Sequence, residues 1–297
     1  MLLTWKVMLL VVAAVAPMAI SAFTPRGAPE WTASRVPVPD LVELRPDVFR
    51  YRAGGDFTRD GKPARAPIVA VTVMRPFGVM KHQVTAGDYR RCVEAGACPL
   101  VDRDEVASDR PAVKISWRDA HAYASWLSHA TGANFRLPTD AEWAYAAASR
   151  FKDDVLPESA YGSDPGRRAL ALYDADASRG DEVIDKAPQP IGSFGANENG
   201  LLDVAGNVWE WTDTCFVRGV LDARGEAAVT TVDCGIRIVE GWHRAYVPDF
   251  IRDARAGGCS VGTPPSNLGF RLVRDDDPWR GLGLLLARAQ RLVGRQL

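Results

Sequence analysis

Oxygen-bearing groups are concentrated in a short stretch, residues 200–212. Its two glycines disfavour a helix and its Asp-Val-Ala-Gly-Asn run disfavours the middle of a strand, so the stretch predicts a tight loop leading into an aromatic strand over 208–212. It offers two carboxylates and two backbone carbonyls, those of Asp203, Glu210, Gly206 and Val208. Ca²⁺ takes such a mixture of oxygen ligands from a bent backbone. The stretch therefore predicts either a calcium site or a structural turn whose carboxylates cap nearby N–H groups.

Ionisable residues are also crowded between positions 243 and 255. Histidine acts as a general acid or base near neutral pH, and arginine clamps carboxylates or phosphates. The catalytic candidates in this segment are His243, Arg244, Tyr246, Arg252 and Arg255. The alternative is a salt-bridge network that stabilises a loop-rich fold.

Three helices are predicted by capping signals. A Ser or Thr stands three residues before an acidic residue in each of three pairs, Thr85 with Asp88, Ser116 with Asp119 and Thr139 with Glu142. The helices should end near positions 96, 130 and 150. Residues 68–74 are a β-branched run between prolines and predict a buried strand, residues 77–84 predict a second, and residues 269–273 predict a closing strand.

Composition sets broad limits. The 297 residues suit one large domain or two small ones, with 47% hydrophobic and 25% charged residues. A net charge of −1 gives no general attraction to nucleic acid, so no nucleic-acid partner is expected. Nine Trp residues suit a core built by large aromatic side chains.

The two ends of the chain predict its location and boundaries. Lys6 precedes an apolar run that stays uncharged until Arg26, so residues 1–23 predict a cleaved secretory signal or an uncleaved anchor, and a periplasmic or exported body. Residues 24–65 predict a linker and first strands, and residues 66–275 the main domain. Residues 276–297 predict a basic tail that contacts a membrane surface or a partner as an amphipathic helix, or is simply exposed.

Five Cys are consistent with an oxidising compartment. Cys92 and Cys98 would close a small loop, and Cys215 and Cys234 flank an excursion that they would close. Cys259 is then left over. Spacing does not determine connectivity, so five unpaired buried thiols are the alternative.

Four ordered motifs resemble the formylglycine-generating enzyme family, also called sulfatase-modifying factors. The most specific is Gly200-Leu-Leu-Asp-Val-Ala-Gly-Asn-Val-Trp-Glu-Trp211. The others are Lys81-His-Gln-Val-Thr-Ala-Gly-Asp-Tyr89, Val113-Lys-Ile-Ser-Trp-Arg-Asp-Ala-His-Ala-Tyr123 with its continuation Arg136-Leu-Pro-Thr-Asp-Ala-Glu-Trp-Ala-Tyr145, and Ser266-Asn-Leu-Gly-Phe-Arg271. Together they cover roughly residues 70 to 275.

The resemblance implies an irregular, loop-rich α+β fold related to C-type lectins. It also implies structural calcium at the positions matching Asp203, Gly206, Val208 and Glu210. The family has a first calcium site in the region matching residues 171–178, but this chain lacks an Asn that the family often shows there. Asp174 and Asp176 are the possible substitutes, and a solvated acidic loop is the preferred interpretation.

The oxidase members of the family hold copper(I) and react with a substrate Cys through two Cys that flank His-Arg-Ser-Tyr. The matching segment here reads Trp242-His-Arg-Ala-Tyr-Val247, so both thiols are replaced. Copper(I) is soft and the thiolate is the reacting species. Copper is therefore not expected, and the resemblance argues against the family's defining reaction.

Two functions remain. The first is an exported accessory or maturation factor that binds a protein or peptide partner in the periplasm. Residues 92–99 resemble a branch of the family that is encoded beside copper nitrite reductase, which makes that enzyme the expected partner. The second is an oxidoreductase or maturation enzyme, similar to the pyoverdine-maturation branch, that uses His243, Tyr246 and the arginines.

Overall fold

The structure is a computed structural model, and it describes residues 36–101, 107–153, 166–167, 170–171, 174, 187–252 and 267–275. The N-terminal signal or anchor, the C-terminal tail, Arg255, Cys259 and Asp176 lie outside the described residues. No helix among the described residues is long and apolar enough to span a bilayer.

All three capping signals lie where the sequence predicts them. The helices are α1 (Ala86–Glu94), α2 (Trp117–Thr131) and α3 (Asp140–Ala147), the last followed by a 3₁₀ turn over Ala148–Arg150. In each helix the N-cap hydroxyl accepts the N–H of the third helical residue, whose carboxylate accepts the N–H of the cap. Gly132 ends α2 in the left-handed conformation at φ 73°.

The strands before α1 are β1 (Leu41–Leu44), β2 (Asp47–Arg52), β3 (Asp56–Arg59), β4 (Lys62–Ala64), β5 (Ile68–Val73) and β6 (Phe77–Met80). The later strands are β7 (Phe135–Arg136), β8 (Trp209–Leu221), β9 (Ala227–Glu240), β10 (Ala245–Pro248), β11 (Leu268–Gly269) and β12 (Val273–Arg274). Strands β1 to β4 lie within residues 24–65, the segment predicted to contain a linker and first strands. They pair with strands of the predicted main domain, β1 with β6, β2 with β5, and β3 with β8.

Two sheets hold most of the strands. A four-stranded sheet has the order β1-β6-β12-β7, and a six-stranded sheet has the order β10-β9-β8-β3-β4 with β11 paired to β8. Strand β8 runs to Leu221, well beyond the short strand predicted to end at Thr212, because β9 pairs with it between Glu210 and Leu221, with register shifts along the ladder. The predicted closing strand is split into β11 and β12 around Phe270–Leu272.

Large aromatic side chains fill the core, as the Trp content predicted. Trp143, Trp211 and Phe270 are each at most 1% exposed. Both predicted disulfides are confirmed: Cys92 is bonded to Cys98, and Cys215 to Cys234. The short helices, curled sheets and long loops confirm the predicted α+β fold.

Candidate functional site

The loop before β8 is the tight turn that the sequence predicted. Three of its non-glycine residues, Asp203, Ala205 and Asn207, have φ between 56° and 63°, in the left-handed region. The Asp203 carboxylate fixes the neighbouring loop by accepting the backbone N–H groups of Gly192 and Phe194. The turn therefore brings its backbone carbonyls towards the start of β8.

Glu210 lies at the start of β8 and is fully buried. Both of its oxygens accept from the Arg271 guanidinium, at 2.6 and 2.7 Å. Trp143 Nε1 donates to Oε2 and Gln83 Nε2 donates to Oε1, each at 2.8 Å. Arg271 is itself 1% exposed, so this is a completely desolvated ion pair with additional hydrogen bonds.

Three oxygens converge on one point of this loop. Gln83 Nε2 lies 3.3 Å from the Asp203 carbonyl, 3.1 Å from the Gly206 carbonyl and 2.8 Å from Glu210 Oε1. The other amide atom, Gln83 Oε1, is buried and has no hydrogen-bond partner among the described residues. Exchanging the two amide atoms of Gln83 would add a fourth oxygen to the group, which suits a hard cation.

The carbonyl oxygens of this loop suit Ca²⁺, but both predicted carboxylate ligands already accept hydrogen bonds from the protein. Asp203 would contribute its carbonyl, because its carboxylate already accepts two backbone N–H groups. Gly206 would contribute its carbonyl as predicted, whereas both Glu210 oxygens already accept hydrogen bonds and their charge is balanced by Arg271. Among the described residues no three His, Cys, Asp or Glu side chains form a metal-ligand group, so any such site depends on backbone and amide oxygens. Calcium binding stays a prediction, and Val208 is the fourth residue predicted to contribute a ligand.

The segment around His243 connects β9 to β10. Val247 is fully buried in β10, opposite Arg237 of β9. Trp242 is half-buried, with its ring edge-on to Phe194 at 6.0 Å between centroids. The resemblance places thiols at these two positions, and here they are Trp242 and Val247.

Hydrogen bonds with neighbouring groups fix the position of His243. Its Nδ1 lies 2.7 Å from the Arg244 carbonyl, which can only accept, so Nδ1 carries the proton in that bond. The Trp209 indole N–H donates to the His243 carbonyl at 3.1 Å, and the two rings meet edge to face. His243 as a whole residue is 9% exposed.

Arg244 is enclosed by acids. Its Nε donates to Glu240 at 2.7 Å, and its terminal nitrogen donates to both oxygens of Asp140 at 3.1 Å. Burial lowers the pKa of Arg244, but the Asp140 and Glu240 carboxylates outweigh it and hold that pKa well above its usual value. Burial raises the pKa of Glu240 well above its ordinary 4.5, and the Asp140 charge raises it further against the effect of Arg244.

The remaining candidates serve separate networks. Tyr246 exchanges hydrogen bonds with the Gly55 backbone, and burial raises its pKa to about 12 against the lowering effect of Arg244. Arg252 makes two hydrogen bonds, at 2.7 and 2.8 Å, to the Asp119 carboxylate that caps α2. Burial raises the pKa of Asp119, but the bonds from Arg252 and Ser116 outweigh it, so the pKa is lowered.

Three residues of these networks were not predicted from the sequence: Gln83, Asp140 and Glu240. Gln83 precedes the α1 cap and Asp140 opens α3, where an acidic residue is ordinary, so neither carried a signal. Glu240 follows an apolar strand, and a lone Glu at that place was a weak sign of a buried partner.

A cavity of about 350 Å³ lies beside the same turn. Trp242 and Phe194 form an aromatic side, and Arg150 and Lys152 bring positive charge to the opening. Arg150 donates to the carbonyls of Phe194, Gly195, Val204 and Ala196, so it ties the 3₁₀ turn after α3 to the loop.

Comparisons with known proteins identify the family of the chain. A family model described as "Sulfatase-modifying factor enzyme 1-like domain" matches residues 34–276. The formylglycine-generating enzyme of Mycobacterium tuberculosis is 32% identical over 80% of this chain and 98% of that protein. That of Thermomonospora curvata is 34% identical over 77% of this chain and 74% of that protein.

An inactive relative and a solved structure are also similar. The "Inactive C-alpha-formylglycine-generating enzyme 2" of Bos taurus is 32% identical over 53% of each chain, so this chain spans about half the length of that relative. PvdO from Pseudomonas aeruginosa matches 82% of this chain and 96% of its own, with 24% identity and a TM-score of 0.49. Since the family model and relatives above 30% identity cover most of its length, the chain belongs to the formylglycine-generating enzyme, or sulfatase-modifying factor, family.

Proposed function

We propose that this chain is an exported accessory protein that binds a partner polypeptide during the maturation of another exported enzyme. The observation that carries the proposal is the pair Trp242 and Val247, at the two positions where oxidase members carry thiols. Neither side chain binds copper(I) or forms a mixed disulfide. The family's fold is then retained without its copper-thiol reaction.

The contacts around His243 favour a structural role over an alternative chemistry. Arg244 is 3% exposed and faces Asp140 and Glu240, and Tyr246 bonds to the Gly55 backbone. A catalytic group must reach its substrate within hydrogen-bond distance. An oxidoreductase or pyoverdine-type maturation enzyme that uses His243, Tyr246 and these arginines is therefore the less favoured function.

The cavity beside Trp242 supports partner binding. Aromatic side chains and arginine contribute disproportionately to protein interfaces, and this cavity offers two aromatic rings with two cations. It suits an aromatic or acidic side chain projecting from a polypeptide. The partner that we propose is a periplasmic copper nitrite reductase, because the stretch Cys92-Val-Glu-Ala-Gly-Ala-Cys-Pro99 resembles the branch encoded beside that enzyme.

The absence of thiol oxidation is tested by incubating the protein with copper(I), oxygen and a peptide bearing Cys-x-Pro-x-Arg. Mass spectrometry then measures conversion of the thiol to an aldehyde. We expect no more turnover than in a control with metal alone. Turnover above that control refutes the proposal.

Partner binding is tested with purified copper nitrite reductase. Trp242→Ala and Phe194→Ala should each weaken binding by about tenfold or more, the effect of truncating an interface anchor. Phe250→Ala is the matched control, since Phe250 is 62% exposed and is not among the residues that line the cavity. Equal losses in all three variants, or no binding by the unchanged protein, count against the proposed site or the proposed partner. The mature N-terminus, determined on protein from fractionated cells, tests export.

A further inference from the structure

Arg237 of β9 lies against the disulfide that joins Cys215 to Cys234. The strand pairing places Arg237 opposite Cys215, and the guanidinium Nη1 donates to Cys215 Sγ at 3.3 Å. The same nitrogen donates to the Asp213 carbonyl at 2.9 Å, and the guanidinium carbon lies 3.9 Å from the centre of the Trp117 ring. These contacts fix a cation beside one of the two sulfurs.

The positive charge of Arg237 is incompletely balanced. Its side chain is 11% exposed, and a carboxylate oxygen of Asp213, which also faces His121, lies 3.6 Å from Nη1. Its Nε is buried and has no hydrogen-bond partner among the described residues. Burial lowers the pKa of Arg237 below its ordinary value, and the charges of Asp213 and Asp249 do not fully offset that effect. A further negative charge beside Arg237 is therefore stabilised.

Opening of the disulfide supplies such a charge. When a thiolate attacks Cys234, the electron pair of the broken S–S bond leaves on Cys215 Sγ, beside Arg237. A cation next to a thiol lowers its pKa, and a thiol of lower pKa is the better leaving group. Cys234 is exposed whereas Cys215 is half-buried. The accessible sulfur is thus the one whose attack places the charge beside Arg237.

The pairing of β8 with β9 is interrupted at this disulfide. Cys215 is opposite Arg237, but its neighbour Phe216 is opposite Asp233, so the segment Cys234–Ile236 bulges out of the ladder. The two strands pair again on both sides of this interruption. Because the bulged segment carries Cys234, its sulfur can part from that of Cys215 while the flanking strand pairs stay in place.

We propose that the Cys215–Cys234 disulfide is an exchange site that oxidises external cysteine thiols. An incoming cysteine thiolate forms an S–S bond with Cys234 Sγ, and the Cys215–Cys234 bond breaks with its electron pair on Cys215. A second external thiolate then attacks the external sulfur of the mixed disulfide, which forms an external disulfide and releases Cys234 as a thiolate.

The electrons balance within this single turnover. Two external thiolates lose one electron each, and the two protein sulfurs gain them, so the protein disulfide is the oxidant. The product is a disulfide rather than an aldehyde, and no copper takes part. The reaction uses neither Trp242 nor Val247, and it does not depend on the proposed function.

The other disulfide supplies a comparison within the same molecule. Cys92 is 0% exposed and Cys98 is 7% exposed, so an external thiolate has little access to either sulfur. We therefore expect the Cys215–Cys234 bond to open while the Cys92–Cys98 bond stays closed.

The test uses folded protein in a Cys259→Ser background, which leaves only the two disulfides. The protein is incubated with reduced glutathione or, in a second arm, with a peptide that carries one cysteine. Free thiols are alkylated after increasing times, and mass spectrometry locates them. We expect the reagent on Cys234, alkylation of Cys215 and an intact Cys92–Cys98 bond. Exchange in either arm supports the proposal, and the faster arm identifies the source of the thiol.

Variants of Arg237 test the role of its charge. Arg237→Leu should slow the opening about tenfold, since a neighbouring cation lowers a pKa by about 1–3 units. Arg237→Lys keeps the charge and should restore most of the rate. Arg218→Leu is the matched control, because Arg218 lies in the same hairpin with its guanidinium over the Phe216 ring, and it should leave the rate unchanged.

Three results overturn the proposal. The first is a Cys215–Cys234 bond that opens no faster than the Cys92–Cys98 bond. The second is a mixed disulfide on Cys215 instead of Cys234. The third is an Arg237→Leu variant that opens as fast as the unchanged protein or faster. Loosened strands would speed the opening, so a folding defect in this variant cannot imitate the slower reaction that we expect.

Discussion

Replacing Glu240 with Gln is expected to remove a dependence of stability on pH. One guanidinium, that of Arg244, faces two carboxylates, and the three side chains are 3%, 0% and 1% exposed. If both acids were ionised, the buried group would carry a net negative charge. Burial and the neighbouring Asp140 raise the pKa of Glu240. We therefore expect Glu240 to keep its proton in the folded state at pH values at which an ordinary carboxyl has lost it, so that the buried group is neutral.

The sign and size of the effect follow from proton linkage. Above the ordinary pKa of 4.5 the unfolded chain releases this proton while the folded protein retains it. The stabilisation is therefore complete below pH 4.5 and is lost as the pH rises through the raised pKa of the folded state. One proton corresponds to a slope of about 1.4 kcal/mol per pH unit in the free energy of unfolding. Gln mimics the protonated acid and should remove this slope.

The assay is urea unfolding of wild type and Glu240→Gln at several pH values from about 5.5 to 8, where a normal carboxyl is already ionised. The lowered pKa values of Asp119 and Glu142 stabilise the fold above their ordinary 3.8 and 4.5, so their contribution is nearly constant across this range. We expect the variant to become more stable relative to wild type as the pH rises. Glu226→Gln makes the same change at an exposed site and should leave the wild-type slope unchanged.

The opposite result would identify an ordinary buried ion pair. If Glu240 is ionised, Gln leaves Arg244 short of one counter-charge, and the variant loses about 3–5 kcal/mol at every pH. A large loss that does not vary with pH would therefore refute the reasoning.

Three further predictions concern the same fold. Calcium at the loop before β8 should stabilise the folded state by about 2.7 kcal/mol at a hundredfold excess over its Kd, measured as a higher Tm than in chelated protein; equal Tm values in loaded and verified metal-free protein would leave only a structural turn. Arg271→Met should cost about 3–5 kcal/mol because it strands the buried Glu210 carboxylate, whereas Arg274→Met, which removes a more exposed partner of Glu43, should cost about 0–1 kcal/mol. Similar losses in these two variants would contradict the role of burial. Replacing Cys215 and Cys234 with Ser should cost about 3 kcal/mol, and replacing Cys92 and Cys98 about 2 kcal/mol, because the chain-entropy contribution grows with the separations of 19 and 6 residues. Denaturant unfolding in which the shorter loop costs more would contradict that account.

Local chemistry made much of this fold predictable from sequence. Thr85, Ser116 and Thr139 marked the three helix starts because a capping box joins residues only three positions apart. Left-handed φ values occur at Asp203 and Asn207, types that tolerate this conformation, in the loop predicted to turn tightly. The family could also be recognised from the sequence, because each of its motifs is contiguous in the chain.

The limits of prediction lie where distant residues meet. Strand β8 extends to Leu221 because β9 pairs with it, and the sequence of β8 alone does not indicate which strand it pairs with. The predicted closing strand is interrupted because Phe270 and Arg271 turn into the core, where Arg271 meets Glu210.

What the sequence alone determined, then, was the set of helix starts, the family and the replacement of the two thiols by Trp242 and Val247. Only the tertiary structure decided what the charged residues around them do. Asp140 and Arg244 are 104 positions apart, and their contact depends on how α3 packs against β9. The chemical role of an ionisable side chain depends on its burial and on the charges beside it. Those are properties of the folded chain, so the same His-Arg-Ala-Tyr residues that suggested catalysis from sequence are held in buried structural networks.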